Sequence, residues 1–486
     1  MGWLARVRDA MGIPREKRQY EAAVQGRNTY GWRSPSTSAN AEIQKAGNLL
    51  RDRSRDLVRN NPLAHKALSV LSTSIVGESG IMPRWGGVAD EGLRQAAKEL
   101  WDRWSRGCDT TGRMSLQAVQ WLAVHGMLES GDALVRRRLL PNPSGVRLRL
   151  QLMEPDWLDE TNQPIGDSLQ SILGVVVDAD GLVVGYRIRD THPGDTATWS
   201  LGRIESQTVP AAYVTHLYNP TRPGQLRGAP HLSPVATTLK MLHDHEVTEL
   251  VRCEVQATLA MIVRGGAPPT ASSMTDPGNP DGMGLVVQDS DGRTVETVER
   301  GGIFYANGAE GIEMTKPGID AAFPMIMKHY ERKVAAGLSM LESQLTADLS
   351  GINYSSFRAG QLDFRAEMMR IRNQAVIPFL CDPLWDWFRA SAAAADPRML
   401  DLPETMRWTN PKWQSVEPQK DVTAATSRVA GGFNSLSAET EDMGHDPEEV
   451  ATQLGRDKQM FDSAGISVDT LQSAAAQSAA AEAVPV

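Results

Sequence analysis

Apolar residues recur with helical spacing along the first part of the chain. These stripes predict helices over residues 41–60, 62–77, 91–106 and 115–130. Asn40 is placed to cap the first helix, Pro62 suits the first turn of the second, and Ser115 can cap the fourth. The chain is therefore expected to begin, after a basic arm, as a set of amphipathic helices.

After residue 131 the apolar pattern changes from helical spacing to alternation. It predicts a hairpin of strands 132–140 and 146–152, a second hairpin of strands 173–177 and 182–188, and a strand at 213–218. The turn between Asp178 and Gly181 has the beginning of a calcium loop, but Arg189 stands where the loop needs glutamate, so a hairpin turn is expected. The first 220 residues therefore predict an α+β domain.

The second half of the chain alternates helical stretches with breaks rich in proline, glycine or polar residues. A long helix is predicted over 231–263, a small β-rich module over 264–319 and a returning helix over 320–343. A polar break over 344–354 precedes a helix that starts at 355, which Pro378 and Pro383 should bend or end near 377. Further helices are predicted over 418–432 and after Pro447, and the end from 471 is expected to be disordered.

Composition limits the class of protein. The 486 residues allow about three folding units. The three cysteines lie more than a hundred residues apart, which fits neither a disulfide framework nor a zinc cluster and favours a reducing cytosol. The chain contains no apolar run long enough for a membrane span, and arginines interrupt the N-terminal stretch where a signal peptide needs apolar residues.

The formal net charge of −9 is unevenly distributed. Residues 1–60 carry 12 Lys/Arg against 6 Asp/Glu, whereas residues 381–486 carry 8 against 17. An acidic chain cannot hold DNA by bulk attraction, so any contact with nucleic acid has to be local or loose.

Sequence motifs for catalysis are weak. The chain has no P-loop, no GxGxxG and no GxSxG motif. The best metal candidate is His243, His245 and Glu249, which would make the protein a metal-dependent hydrolase. On a helix His245 and Glu249 share a face, but His243 points about 200° away from His245, so the alternative is a polar helix face.

Two series of side chains allow more than one interpretation. Arg358, Arg365 and Arg372 recur every seven residues, either as a solvated face or as a contact to a neighbouring subunit or to DNA. Several tryptophans on amphipathic helices are expected in the core rather than as stacking platforms for bases. They are Trp101, Trp104, Trp121, Trp385 and Trp387.

Four stretches, in the right order, resemble the portal proteins of lambda-type tailed phages. They are residues 50–62 followed by Ile75-Val76-Gly77, the tripeptide Glu154-Pro155-Asp156, residues 222–230 followed by Ser233-Pro234, and residues 348–356. The resemblance covers roughly residues 20–465. Phe357 departs from the family pattern, which commonly continues the last stretch directly into Arg and Ala.

The resemblance implies a non-enzymatic protein without a cofactor. Its fold would be the α+β portal fold, assembled as a ring of typically twelve subunits that forms the DNA channel at one capsid vertex. Implied partners are other copies of the chain, the terminase large subunit, the major capsid and scaffold proteins, head-completion and neck proteins, and double-stranded DNA without sequence preference. No membrane is implied, and the location would be the virion, with assembly in the host cytoplasm.

The resemblance also assigns a part of the portal fold to each segment. The segments are a basic arm (1–40), an α+β wing (41–230), a stem helix (231–263), a clip (264–319), a second stem helix (320–343), a tunnel loop (344–354), a long wing helix and return (355–417), a helical crown (418–470) and a disordered tail (471–486). Gly351 is expected to let the tunnel loop change conformation as DNA passes.

Three groups of site residues follow from this assignment. The tunnel-loop candidates are Gln344, Thr346, Asp348, Ser350, Gly351, Asn353 and Tyr354. Lys328, Arg332 and Lys333 are candidates for the channel surface of the second stem helix. Arg358, Arg365 and Arg372 are candidates for contacts between subunits.

Overall fold

The protein was examined as a computed structural model. It describes residues 27, 29–32, 34–166, 168–195, 205–258, 261–264, 285–288, 294–297, 303–306, 323–351, 353–410, 413 and 418–465. The expected disordered tail and the first 26 residues of the basic arm lie outside the described residues. No helix in the described ranges is both long enough and apolar enough to cross a membrane.

Four helices open the described fold, as the apolar stripes predict. They are α1 (Ala39–Asn60), α2 (Pro62–Val76), α3 (Glu91–Ser105) and α4 (Leu116–Ser130). Ser115 caps α4 as expected, but the prediction for Asn40 is wrong, because the side chain of Ser38 accepts the hydrogen bond from the Ala41 amide at the start of α1. Asn40 instead contacts Gly224 and Leu226 and holds the 219–230 loop against α1.

The strands that follow form two antiparallel sheets. Strands β1 (Asp132–Arg138), β2 (Arg149–Met153) and β8 (Val214–Tyr218) form a sheet in the order β2-β1-β8. Strands β3 (Gln163–Ile165), β4 (Leu169–Ile172), β5 (Val175–Val177), β6 (Val183–Arg189) and β7 (Ser206–Pro210) form a five-stranded meander. Both predicted hairpins are confirmed; β3, β4 and β7 were not predicted.

The middle of the chain departs from the predicted helix bounds. The helix expected over 231–263 is α5 (Ala236–Thr258), and residues 261–264 form strand β9 (Met261–Arg264). Three more short strands, β10 (Leu285–Gln288), β11 (Thr294–Thr297) and β12 (Ile303–Ala306), lie near their predicted positions; β10 pairs with β11 and β12 with β9.

The predicted helix over 320–343 is broken. Helix α6 (Phe323–Gly337) ends where Ser339 adopts a left-handed conformation with φ 54°, and a short helix α7 (Glu342–Thr346) follows. The Leu341 amide donates to Gln344 Oε1 at 3.0 Å and so caps the start of α7. The continuous apolar pattern of the sequence contains no signal for this break.

A single long helical rod crosses the subunit. Helix α8 (Tyr354–Ile371) continues through a π-helical segment (Arg372–Cys381) into α9 (Asp382–Ala393). Of the two outcomes predicted for Pro378 and Pro383, a bend or an end near residue 377, the end is therefore wrong. Pro378 lies inside the π-helical segment, where the wider turn makes room for a ring that would clash with the preceding turn of an α-helix.

The core lies between the helical layer, the first sheet and α9. Trp101, Trp104 and Phe388 pack with ring centroids 4.8 to 5.2 Å apart, and Trp385 joins them. Each buried indole of Trp104, Trp385 and Trp387 donates to a backbone carbonyl. The core interpretation is therefore confirmed for Trp101, Trp104, Trp385 and Trp387; Trp121 is half-buried and stacks on His125.

Three helices form the C-terminal part of the described chain. They are α10 (Pro418–Ala430), α11 (Leu436–Asp442) and α12 (Pro447–Ser463), of which α11 was not predicted. Helix α12 buries no residue and rests on α3 through ion pairs, Arg94 with Glu448 at 2.8 Å and Lys98 with Glu449 at 2.7 Å. Arg84 pairs with Glu441 in the same way at 2.7 Å.

Candidate functional site

An ion-pair network joins three of the four stretches that carry the family resemblance. Arg51 on α1 bonds Asp156 and Glu160, each at 3.0 Å, while Arg55 one turn later bonds Asp156 at 2.6 Å and Glu154 at 2.9 Å. Arg51 and Arg55 face the same way because four residues make about one helical turn. Residues about a hundred positions apart are thereby fixed to each other.

The buried centre of this network is Asp132, at the start of β1. Its carboxylate accepts from the Arg227 guanidinium at 2.5 Å and from the Gly228 amide at 2.5 Å, and His216 Nε2 lies 3.3 Å away. Burial alone would raise the pKa of Asp132, but Arg227, His216 and the Gly228 amide together hold it well below its usual range. Asp132 is therefore a buried, compensated carboxylate that ties the 222–230 stretch to the first sheet.

Two glycines allow the 222–230 loop to approach β1. A Cβ on Gly228 would lie 2.0 Å from the Gly131 carbonyl oxygen, and Gly131 has φ 92°. No other residue fits this backbone contact without moving one of the segments. The Pro- and Gly-rich loop thus has a packing role in front of α5.

Residues 347–351 and 353 lie between α7 and α8 in a connection rich in polar side chains, here named loop 347–353. Ala347, with φ 61°, ends α7, and the Asp348 side chain accepts from both the amide and the hydroxyl of Ser350, the amide at 2.8 Å. Gly351 has φ 74° and no atom near the position of a Cβ, and Asn353 caps α8. The predicted tunnel loop is too wide, because Gln344 and Thr346 belong to α7 and Tyr354 is the first residue of α8.

A groove of about 350 Å³ lies between this loop and α6. Glu342 of α7 forms an ion pair with Arg332 at 2.7 Å and lies 3.7 Å from Lys328 Nζ. Lys333 lies over the Tyr330 ring, 6.0 Å from its centroid. Two of the three candidate channel cations therefore share one carboxylate, and Glu342 is a site residue that the sequence analysis missed, since nothing in the sequence shows that α7 turns back on α6.

The three arginines of the long helix have different surroundings. Arg358 pairs with Asp421 of α10 at 2.8 Å, and Arg365 lies over the Trp413 ring at 5.1 Å. Arg372 is buried and donates to the carbonyls of Ile75, at 2.8 Å, and Thr409, while burial lowers its pKa to about 10. Because Arg372 is buried, it cannot contact a neighbouring subunit, and that prediction is wrong for this residue. The alternative prediction of a solvated face is wrong at this position for the same reason.

The predicted metal site does not form among the described residues. His243 is exposed, His245 packs on the Phe323 ring with centroids 5.5 Å apart, and Glu249 pairs with Arg252. In the described ranges the one group of three metal-type ligands is Glu154, Asp156 and His192. Arg55 already binds both of these carboxylates, so neither place supports a metal-dependent hydrolase.

Comparison with known proteins confirms the resemblance seen in the sequence. Residues 25–372 match the model of the family described as phage portal protein, lambda family. A probable portal protein of Halomonas phage phiHAP-1 is 27% identical over 473 residues, which cover 93% of this chain and 88% of the relative. Portal protein B of Escherichia phage lambda is 23% identical and covers 92% of this chain and 90% of its own length.

The comparison with solved structures matches chains of gene transfer agent particles. A chain from the neck of a native gene transfer agent particle, computed with C12 symmetry, covers 84% of this chain and 94% of its own length, with 14% identity and a TM-score of 0.38. A chain from the virion of such a particle has 15% identity and a TM-score of 0.37. Since the family model alone spans well over half of the residues, the chain belongs to the lambda family of phage portal proteins.

Proposed function

We propose that the chain assembles as a ring of twelve subunits that forms the DNA channel of one capsid vertex. The observation that carries this proposal is the match of residues 25–372 to the portal family. A closed ring is built from heterologous contacts, in which one surface of each subunit meets a different surface of the next. The exposed apolar residues Val247, Leu250 and Val251, which share one face of α5, supply such a surface.

The proposed channel segment consists of α5, α6 and loop 347–353. A conduit for duplex DNA should not clamp phosphates, because each neutralised phosphate strengthens binding and slows movement. Glu342 offsets the charges of Lys328 and Arg332, which keeps this surface close to electrically balanced. Gly351, whose positive φ suits glycine, would allow loop 347–353 to change shape as DNA passes.

The other segments take the remaining portal roles. Residues 41–230 with the long rod form the wing, the strands β9 to β12 belong to the clip, and α10 to α12 form the crown. The clip would receive the terminase large subunit during packaging and the neck proteins afterwards. The wing would contact the major capsid and scaffold proteins, with assembly in the host cytoplasm and final residence in the virion.

The native mass of the purified full-length protein, with class averages by electron microscopy, tests the ring. Twelve subunits of 53.0 kDa predict about 640 kDa and a central hole wide enough for a DNA duplex. A stable monomer, both alone and after addition of scaffold and capsid proteins, would refute the proposal. A closed ring without a hole would refute the channel but not the assembly.

A further inference from the structure

The outer end of the β1–β2 hairpin carries three arginines on one face of the sheet and a fourth, Arg147, in the connection just before β2. In the antiparallel register Arg136 lies opposite Gln151 and Arg138 lies opposite Arg149, and residues directly opposite each other share a face. Arg147 precedes Arg149 by two residues and is exposed, while its neighbours Val146 and Leu148 are buried in the main core. We name Arg136, Arg138, Arg147 and Arg149 the arginine face.

This face continues an apolar one. Leu134 and Met153, opposite each other on the same two strands, are buried in the second core, which the five-stranded sheet covers. Farther along the hairpin Arg136 and Arg138 are partly buried and Arg147 is exposed. The arginines therefore stand where the first sheet emerges from beneath the second.

No carboxylate in the described ranges forms an ion pair with these four arginines. Arg138 reaches Gln151 Oε1 at 3.5 Å, and Arg149 donates to the carbonyls of Gly107, Asp109 and Pro141, each at 3.1 Å. Asp190 attracts Arg136 electrostatically but forms no ion pair with it, and its carboxylate accepts a hydrogen bond from the Gln207 side chain. Burial, and then the Arg138 charge, lower the pKa of Arg136, as expected for cations that lack a counter-ion.

The fold holds this unbalanced charge at a cost. Like charges directly opposite each other on neighbouring strands destabilise a sheet, and Arg138 and Arg149 stand in that relation. Charged residues often protect the edge strand of a sheet from aggregation, which accounts for Arg149 on the edge strand β2 but not for Arg136 and Arg138 on the central strand β1. Gly112 with φ 73° keeps room for the Arg149 guanidinium, 2.8 Å from the position a Cβ would take. An anionic partner would compensate the cluster.

We propose that the arginine face binds the phosphate backbone of duplex DNA outside the channel. Guanidinium groups fit phosphates in two-point geometry, and four that lack a carboxylate partner provide the local contact that a chain of net charge −9 needs. The contrast with α6 supports this assignment, since Lys328 and Arg332 already share Glu342 whereas the arginine face has no such partner. The inference rests on the proposed function, because it takes DNA as the polyanion that this protein meets.

The test is the salt dependence of binding between the full-length protein and a 30-base-pair duplex of mixed sequence, followed by fluorescence anisotropy. Four phosphate contacts predict a slope of about −3.6, which is a loss of affinity of about 150-fold between 50 and 200 mM salt. The double variant R138Q/R147Q should lose only about 12-fold over the same range. Arg147→Gln alone, at an exposed side chain, should lose about 40-fold and guards against a folding defect in the double variant.

The matched control is R94Q/K98Q, which removes two cations that are already paired with Glu448 and Glu449. This variant should keep the salt dependence of the unmodified protein. Equal slopes for R138Q/R147Q and the unmodified protein would overturn the inference. If those variants bind DNA normally but no longer enter procapsids, the face binds an acidic protein surface instead. Native mass of the same samples separates both results from a failure of the ring.

Discussion

At the scale of single residues, Asp132 determines how three distant stretches meet. Asp132→Asn should destabilise the protein by about 3–5 kcal/mol at pH 7, because it removes the buried carboxylate of Arg227 and leaves only Glu160, 3.3 Å away, as its counter-ion. The folded-state pKa of Asp132 is depressed, so its contribution is complete above the unfolded pKa of about 3.9 and is lost as pH falls below that value. The difference between Asp132→Asn and the unmodified protein in urea unfolding should therefore shrink toward pH 3.

Asp180→Asn, in the exposed turn of the second hairpin, is the control for this experiment and should change stability little at either pH. If Asp132→Asn costs as much at pH 3 as at pH 7, the carboxylate charge is not what stabilises the junction.

Glu342 is the second residue with a predicted effect. Glu342→Gln releases Lys328 and Arg332, and two more cations facing DNA should steepen the salt slope of duplex binding by about 1.8. DNA packaged per procapsid should fall, because tighter contacts slow translocation. Glu367→Gln, which breaks a similar pair with Arg370 on α8, should leave both readouts unchanged. An unchanged slope for Glu342→Gln would place these cations away from DNA.

Residue roles were harder to predict than residue burial. The tryptophans on amphipathic stripes could be assigned to the core because a stripe is a local pattern. The burial of Arg372 could not be predicted, because a spacing of seven residues is the same for a solvated arginine and for a buried one. The partners of Arg372 are the carbonyls of Ile75 and Thr409, which lie in distant segments. Glu342 was missed for a similar reason, since its partners become neighbours only through the break after α6.

At the scale of elements, the docking of the C-terminal helices α11 and α12 depends on ion pairs. Arg94, Lys98 and Arg84 hold α12 and α11 through ion pairs, and such pairs contribute little each and are screened by salt. Raising salt from 0.05 to 1 M should therefore speed amide hydrogen exchange in α12 and leave α4 unchanged. The double variant E448K/E449K should speed the same exchange at low salt. Slow exchange in both cases would mean that other contacts hold α12 in place.

Helices with strong stripes and caps, such as α2, α3 and α4, could be predicted almost to the residue. The end of the long helix could not be predicted in this way. The π-helical segment accommodates Pro378 through a change in backbone hydrogen bonding that no sequence pattern indicates. Strands β3, β4 and β7 are three to five residues long and lie among polar positions, so their alternation was too short to detect. The break between α6 and α7 depends on a left-handed serine, which sequence does not favour.

At the scale of the whole molecule, the apolar surface of α5 predicts how subunits associate. Leu250 is 70% exposed and shares one face of the helix with the exposed Val247 and Val251. Leu250→Asp should prevent ring formation without lowering the thermal stability of the subunit, because the side chain contacts solvent in the single chain. Native mass measures the first effect and a thermal melt the second. Leu182→Asp, at a site 67% exposed in the wing, is the control and should still form rings; rings from Leu250→Asp would exclude α5 from the interface.

The unbroken helix from Tyr354 to Ala393 has a mechanical consequence. At about 1.5 Å per residue, its 40 residues give a length along the helix of roughly 60 Å. Loop 347–353 lies at one end of this helix and the tryptophan cluster at the other. A helix transmits a force applied along its axis from one end to the other. It bends most easily where its hydrogen bonding is irregular, which here is the π-helical segment. A push on the loop would thus be felt at the far side of the subunit, with the region around Pro378 acting as the compliant joint.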